Sequence, residues 1–138
     1  MSGYLIDTDW AVDALNGQEL VVQTLLELAP HGLTVSLITY GELYEGALFS
    51  YKPEPALHAL RLFLDGKQLV PLTTTIMERF AQLRGQLPRH LRRQIGDMDI
   101  LIAATALEHD LTLLTRNLKH FQHVPDLKVF RLTEPESS

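Results

Sequence analysis

Apolar positions recur along this chain in two rhythms. Short apolar runs rich in aliphatic and β-branched residues occur at 3–6, 33–38, 69–72 and 111–114. They read as strands. Between them lie stretches with apolar residues three and four apart, which is the spacing of a helix with one buried face. The first two such stretches, 8–15 and 19–28, are separated by Asn16-Gly17 and stopped by Pro30. Helices at 41–49 and 56–64 follow, the second preceded by Pro53 and Pro55 and closed by Asp65-Gly66. A long helix carries Ile76, Phe80, Leu83 and Leu87 on one stripe and ends at Pro88. Residues 99–109 form an Ala-rich helix, and 129–132 a fifth strand.

Strands alternating with helices predict a parallel sheet covered on both faces. The expected fold is a three-layer α/β/α sandwich with a central, mainly parallel sheet of about five strands. Residues 1–132 make one domain. The remaining 133–138 read TEPESS and are expected to be disordered. A chain of 138 residues with 46% hydrophobic content can bury a real core. It has no apolar run of membrane-spanning length and no pattern of a secretory signal. With no cysteine, disulfides, thiolate zinc sites and cysteine nucleophiles are excluded. A cytoplasmic protein without a membrane partner is the expectation.

The polar residues at the ends of the apolar runs change the picture. Asp7 follows YLI, Glu42 follows LTVSLITYG, and Asp97 and Asp99 precede ILIAATAL. Asn117 follows LTLLTR. Each acid has a local explanation. Thr39-x-x-Glu42 matches a capping box. Asp97 suits the N-cap of the Ala-rich helix and Asp99 its first turn. Asp7 suits the cap of the first helix. Their common location is harder to explain by capping. In a parallel sheet with right-handed crossovers, the carboxyl ends of the strands gather on one edge, where ligands bind. Carboxylates that converge there raise each other's pKa. A hard cation such as Mg²⁺ or Mn²⁺ removes that penalty. Metal-assisted chemistry on a phosphate is the reading this pattern favours. The net charge of −5 argues against a simple electrostatic nucleic-acid binder, but not against a nuclease.

The segments YLIDTD, SLITYGELYEGA, IGDMDILIAATAL and LTLLTRNLKHF resemble, in this order, the motifs of PIN-domain ribonucleases. The likeness is to the VapC-type toxins of toxin–antitoxin pairs and spans nearly the whole chain. It implies a Mg²⁺- or Mn²⁺-dependent endoribonuclease that cuts transfer or ribosomal RNA and blocks translation. It also implies a homodimer and a cognate VapB-type antitoxin that reaches into the active-site groove. The implied metal ligands are Asp7 and Asp99, with Glu42, Asp97 and Asn117 acting through water. Thr8 and Thr115 would support them. Asp9 departs from the family pattern, and the neutral Asn117 stands where many relatives carry a further aspartate.

The stretch 79–93 holds Arg79, Arg84, Arg89, Arg92 and Arg93 and no acid. It is expected to contact RNA, with a solvated helix face or an antitoxin surface as alternatives. Trp10, Tyr40, Tyr44 and Phe49 are candidates to stack on bases. The six histidines single out no catalytic pair; His120 and His123 read as a partly exposed helix turn. Asp7-Thr8-Asp9 also resembles the D-x-D start of haloacid-dehalogenase-type phosphatases, with Asp7 as nucleophile and Asp9 as general acid. In that reading Glu42 has no role. A non-catalytic α/β binding module, its acids all caps, is the third possibility.

Overall fold

Four short strands carry the apolar runs in the computed structural model, which describes residues 3–132: β1 (Tyr4–Ile6), β2 (Leu33–Ser36), β3 (Gln68–Val70) and β4 (Thr112–Leu114). The expected disordered tail at 133–138 lies outside the described residues. Every pairing is parallel, in the order β3-β2-β1-β4. Leu5 is the register point, aligned with Thr34 on one side and Leu113 on the other.

Strand alternation divides the core into two layers. Leu5 and Leu113 face one side, where they meet α5 (Thr74–Gln86), α6 (Arg89–Ile95) and α7 (Asp97–Glu108) through Ile76, Leu83, Ile95, Ile100 and Ala103. Ile6 and Leu114 face the other. There they meet α1 (Thr8–Leu15), α2 (Glu19–Leu28), α3 (Leu37–Leu48) and α4 (Pro53–Leu64) through Trp10, Leu25, Leu43 and Leu60. The result is the expected α/β/α sandwich. On α7, Ile100 and the run Ile102–Ala106 are all buried. Small alanines let that helix sit close between the sheet and α5.

Three elements differ from the sequence expectation. The second strand ends at Ser36 rather than Ile38, because the Ser36 hydroxyl accepts from Thr39 N at 3.1 Å and starts α3 there. Residues 89–95, to which the sequence pattern assigns no element, form α6 between Pro88 and Gly96. The fifth strand shrinks to one parallel bridge, Leu113 with Val129. In that bridge Phe130 N donates to Leu113 O at 2.9 Å, and the Phe130 ring packs edge-on against Tyr4 and Trp10. No helix among the described residues is long and apolar enough to cross a membrane.

The sheet order matters for function. The chain moves from β1 outward to β2 and β3, then returns to place β4 on β1's other side. The reversal lies between β1 and β4, and in open α/β sheets ligands bind outside the carboxyl ends at such a point. At the opposite end of β1, Gly3 packs against the turn before β2. A Cβ there would meet Gly32 O at 2.8 Å and His31 O at 2.9 Å. Gly3→Ala is therefore expected to destabilise the fold by about 1–3 kcal/mol. The urea midpoint would fall at unchanged slope; an unchanged midpoint would show that the turn yields freely.

Candidate active site

Asp7 is the first residue past β1, and Thr115 the first past β4. The ladder continues between them, since Asp7 N donates to Leu114 O at 2.9 Å. The Asp7 carboxylate is buried. Its Oδ1 accepts from Thr8 N at 2.8 Å, so it does cap α1. Its Oδ2 accepts from the Thr115 hydroxyl at 2.6 Å, which capping does not require. Burial pushes the Asp7 carboxyl up to about 7. The Thr115 and Thr8 hydrogen bonds oppose that rise, and the negative charges of Asp9 and Asp99 add to it.

Asp9 joins this cluster. Its Oδ2 accepts from Arg116 N at 3.0 Å and lies 3.4 Å from the Thr115 hydroxyl, whose one proton goes to Asp7. Its Oδ1 is buried with no hydrogen-bond partner. Burial raises the Asp9 carboxyl as well.

Glu42 reaches the cluster through Thr8. The Thr8 hydroxyl donates to Glu42 Oε1 at 2.8 Å and lies 3.1 Å from Thr39 Oγ1. The capping-box explanation of Glu42 does not hold. Thr39 is inside α3 and fully buried, and the cap is Ser36. The Glu42 carboxylate turns to the neighbouring helix instead.

Asp99 enters from α7. Its Oδ2 accepts from Asn117 Nδ2 at 3.3 Å and lies 3.2 Å from His120 Nδ1. Asn117 Nδ2 is 2.7 Å from that same Nδ1. Asp99, Asn117 and His120 thus meet within hydrogen-bond distance of one another. Asn117 N donates to Thr115 Oγ1 at 3.0 Å. A continuous path of hydrogen bonds thus runs from Asp7 through Thr115 and Asn117 to Asp99.

Asp97 stands at the edge. Gly96, not Asp97, is the N-cap of α7. The Asp97 carboxylate is largely exposed and lies 3.1 Å from Arg84 Nε. Among the arginines, Arg79 pairs with Glu108 at 3.4 Å, while Arg84, Arg89, Arg92 and Arg93 surround one cavity. Trp10 is 1% exposed and packed on Phe130, so it offers no stacking face. Tyr40 and Tyr44 pack on each other, and Phe49 is exposed.

The sequence leaves Asp9 open and marks His120 only as part of a partly exposed helix turn. The signal for His120 was its place three residues after Asn117 in TRNLKHF, one turn of the short helix α8 (Leu118–Phe121). Nothing local marks Asp9, because its partners come from β4's far end, more than a hundred residues away.

The residues fit a hard divalent cation. Among the described residues, no three His, Cys, Asp or Glu side chains are already gathered to hold one. The donors are oxygen-rich, however. A buried carboxylate oxygen of Asp9 lacks any partner, and Asp7 is buried beside two further negative charges. A cation between them would relieve both.

A PIN domain family model matches residues 4–127. The chain is 38% identical over 127 residues to Ribonuclease VapC19 of Mycobacterium tuberculosis, covering 90% of this chain and 96% of that one. Its fold is similar to a chain of VapBC2 from Rickettsia felis bound to a promoter DNA fragment. That match has a TM-score of 0.81 and 28% identity, and covers 92% of this chain and 96% of that one. VapBC-1 from nontypeable Haemophilus influenzae is similar too, with a TM-score of 0.78 and 28% identity, over 95% and 98% of the two chains.

Proposed function

The chain belongs to the PIN-domain family, and from that premise we propose that it is an endoribonuclease toxin neutralised by a VapB-type antitoxin. Its substrate would be a transfer or ribosomal RNA, cut by hydrolysis so that translation stops. The family match and the likeness to a protein named Ribonuclease VapC19 support the activity. The observation that carries the reading is the hydrogen-bonded path Asp7–Thr115–Asn117–Asp99 across the β1–β4 switch point.

Asp7 and Asp99 are the residues that would hold Mg²⁺ or Mn²⁺, with Glu42 and Asn117 acting through water. When bound, the ion lowers the pKa of a water and takes charge from a phosphate oxygen. The chain's own residues do the rest. Thr115 fixes the Asp7 carboxylate at the sheet edge, and Thr8 fixes Glu42. Glu42 is exposed and its Oε2 has no hydrogen-bond partner among the described residues. We assign it to take the proton of the attacking water. Hydrolysis by water leaves a 5′-phosphate and a 3′-hydroxyl. Thr115→Val, which keeps the shape and removes the donor, is expected to lower metal affinity and cleavage by about 10–100-fold. Metal titration of both proteins checks this, and equal affinities would remove Thr115 from the account.

The solved relatives are described as VapBC complexes, which supports an antitoxin partner. A groove of about 310 Å³ between α1, α3 and α4 suits an apolar segment of such a partner. Val12, Leu15, Leu43, Ala47 and Leu60 line it, together with Glu42. An occupant of this groove would therefore adjoin the acid cluster. We take the active unit to be a homodimer.

The test is cleavage of purified cellular RNA by the partner-free protein with Mg²⁺ or Mn²⁺. Discrete fragments that accept ligation at a 5′-phosphate, and that vanish when the antitoxin is added, are expected. Fragments ending in a 2′,3′-cyclic phosphate would contradict attack by water.

A further inference from the structure

We propose that the cleft between α5, α6 and the start of α7 is a second anion site, which binds backbone phosphates of the RNA beside the bond that is cut. The proposal rests on the ribonuclease reading. The cleft has a volume of about 460 Å³ and is lined by Arg84, Arg89, Arg92, Arg93, Gly96 and Asp97. Four guanidinium groups thus share it with a single carboxylate, in a chain whose net charge is −5.

The sequence of α6 explains the concentration of charge. Leu91 and Ile95, four apart, pack into the core. Arg89, Arg92 and Arg93 stand at i, i+3 and i+4, so they share another face. Like charges at that spacing destabilise a helix, and Arg89 at its first position opposes the macrodipole. Arg92 and Arg93, in the last turn, are favoured by the macrodipole, which offsets only part of these penalties. A bound polyanion would reverse both penalties.

The guanidinium groups are also short of partners. Arg84 Nε lies 3.1 Å from Asp97 Oδ1, but the angle does not make a hydrogen bond. Arg92 Nε is buried and has no hydrogen-bond partner. Among the described residues, no carboxylate forms an ion pair with Arg89, Arg92 or Arg93. A buried charged donor without an acceptor is costly. Phosphate oxygens supply acceptors in the planar geometry that a guanidinium fork matches.

The cleft lies beside the acid cluster and away from the apolar groove. Asp97 lines the cleft, and Asp99 of the acid cluster follows two residues later on α7. That is roughly 3 Å along the helix axis and about 200° around it, so the cleft and the acid cluster flank the start of α7 on its two sides. The apolar groove assigned to the antitoxin belongs instead to the layer of α1, α3 and α4, across the sheet. A strand of RNA with its scissile phosphate at the acid cluster would bring a neighbouring phosphate to the arginines.

The experiment measures fluorescence anisotropy of a short labelled single-stranded RNA with the full chain, in EDTA, across a salt series. The variant is Arg89→Ala/Arg92→Ala/Arg93→Ala, with Arg93→Glu as a single exposed change should the triple variant fail to fold. The triple variant is expected to bind about tenfold or more weakly. Its plot of log affinity against log salt should be shallower by about 2, the value for three lost contacts to a single strand. Arg93→Glu should weaken binding in the same direction. Unchanged affinity and slope would overturn the proposal, as would intact RNA binding with loss of antitoxin binding. Cleavage in Mn²⁺ is followed in parallel. If the variants bind RNA like the wild type while the wild type cuts it, the cleft assignment fails alone. If the wild type neither binds nor cuts RNA, the ribonuclease reading fails and takes the cleft with it.

Discussion

Asp7→Asn is expected to abolish RNA cleavage and, without metal at pH 8, to melt at a higher temperature than the wild type. The two effects have one cause. The charge stabilisation that a bound ion supplies is worth several kcal/mol. At about 1.4 kcal/mol per decade, its loss corresponds to roughly 10³-fold in rate. Asn is nearly isosteric: its oxygen still accepts from Thr8 N, while its Nδ2 takes the place of Oδ2 and donates to the Thr115 oxygen, so both contacts persist with the second reversed. What disappears is a buried negative charge beside Asp9 and Asp99. An enzyme that loses activity because its fold is damaged melts lower, and this variant should do the opposite. A lower melting temperature, or residual cleavage within tenfold of the wild type, would refute this role for Asp7.

The second large effect is a dependence of stability on pH that metal suppresses. In the folded protein the Asp7 carboxyl is held up at about 7, against an ordinary value of 3.8. Below pH 4 the group is protonated in both states and makes no difference. Between about 4 and 7 the unfolded chain releases its proton and the folded one keeps it. Stability therefore falls as pH rises through that window, then levels off. The interval corresponds to roughly 4 kcal/mol if Asp7 acts alone. Asp9, raised by burial as well, steepens the same trend. An ion that binds only the folded state restores about 2.7 kcal/mol at a hundred times its Kd. Chemical denaturation at several pH values, with EDTA and with Mn²⁺, reads both effects. A metal-free profile flat between pH 4 and 7, or identical in Asp7→Asn, would show that the buried carboxylate is not the source.

These effects follow from contacts that were only partly legible in the sequence. The strand-end residues Asp7 and Asn117 were visible because the apolar runs stop abruptly just before them. A parallel sheet then requires those ends to share an edge. The two-layer core was legible for the same reason, since Leu5-Ile6 and Leu113-Leu114 each send one side chain to either face. Glu42 was ambiguous because Thr39 matched a capping box. The cap went to Ser36, three residues earlier, and Glu42 was free to meet Thr8. That choice depends on where β2 ends, which pairing with β1 and β3 decides and local pattern does not. Helix α6 was hidden by its own composition, with only Leu91 and Ile95 to show a buried face among charged residues. Asp9 and His120 gained their meaning only when the β4 end and α8 were brought beside β1 and α7. Long-range contacts of that kind leave no periodic trace. The phosphatase reading, which gave Glu42 no role, gives way to membership of the PIN-domain family.

The central claim is that carboxylates at the β1–β4 switch point make a metal-dependent site for cutting RNA. The most direct measurement is the initial rate of cleavage of end-labelled cellular RNA by the partner-free protein. It is taken with Mn²⁺, with EDTA, and with Mn²⁺ restored after EDTA, beside Asp7→Asn and Asp99→Asn proteins of verified fold. Cleavage by the wild type only when metal is present, regained on restoring it, and lost in both variants is the expected result. Cleavage that persists in EDTA or in either variant, or none by folded wild type with Mn²⁺, would contradict it.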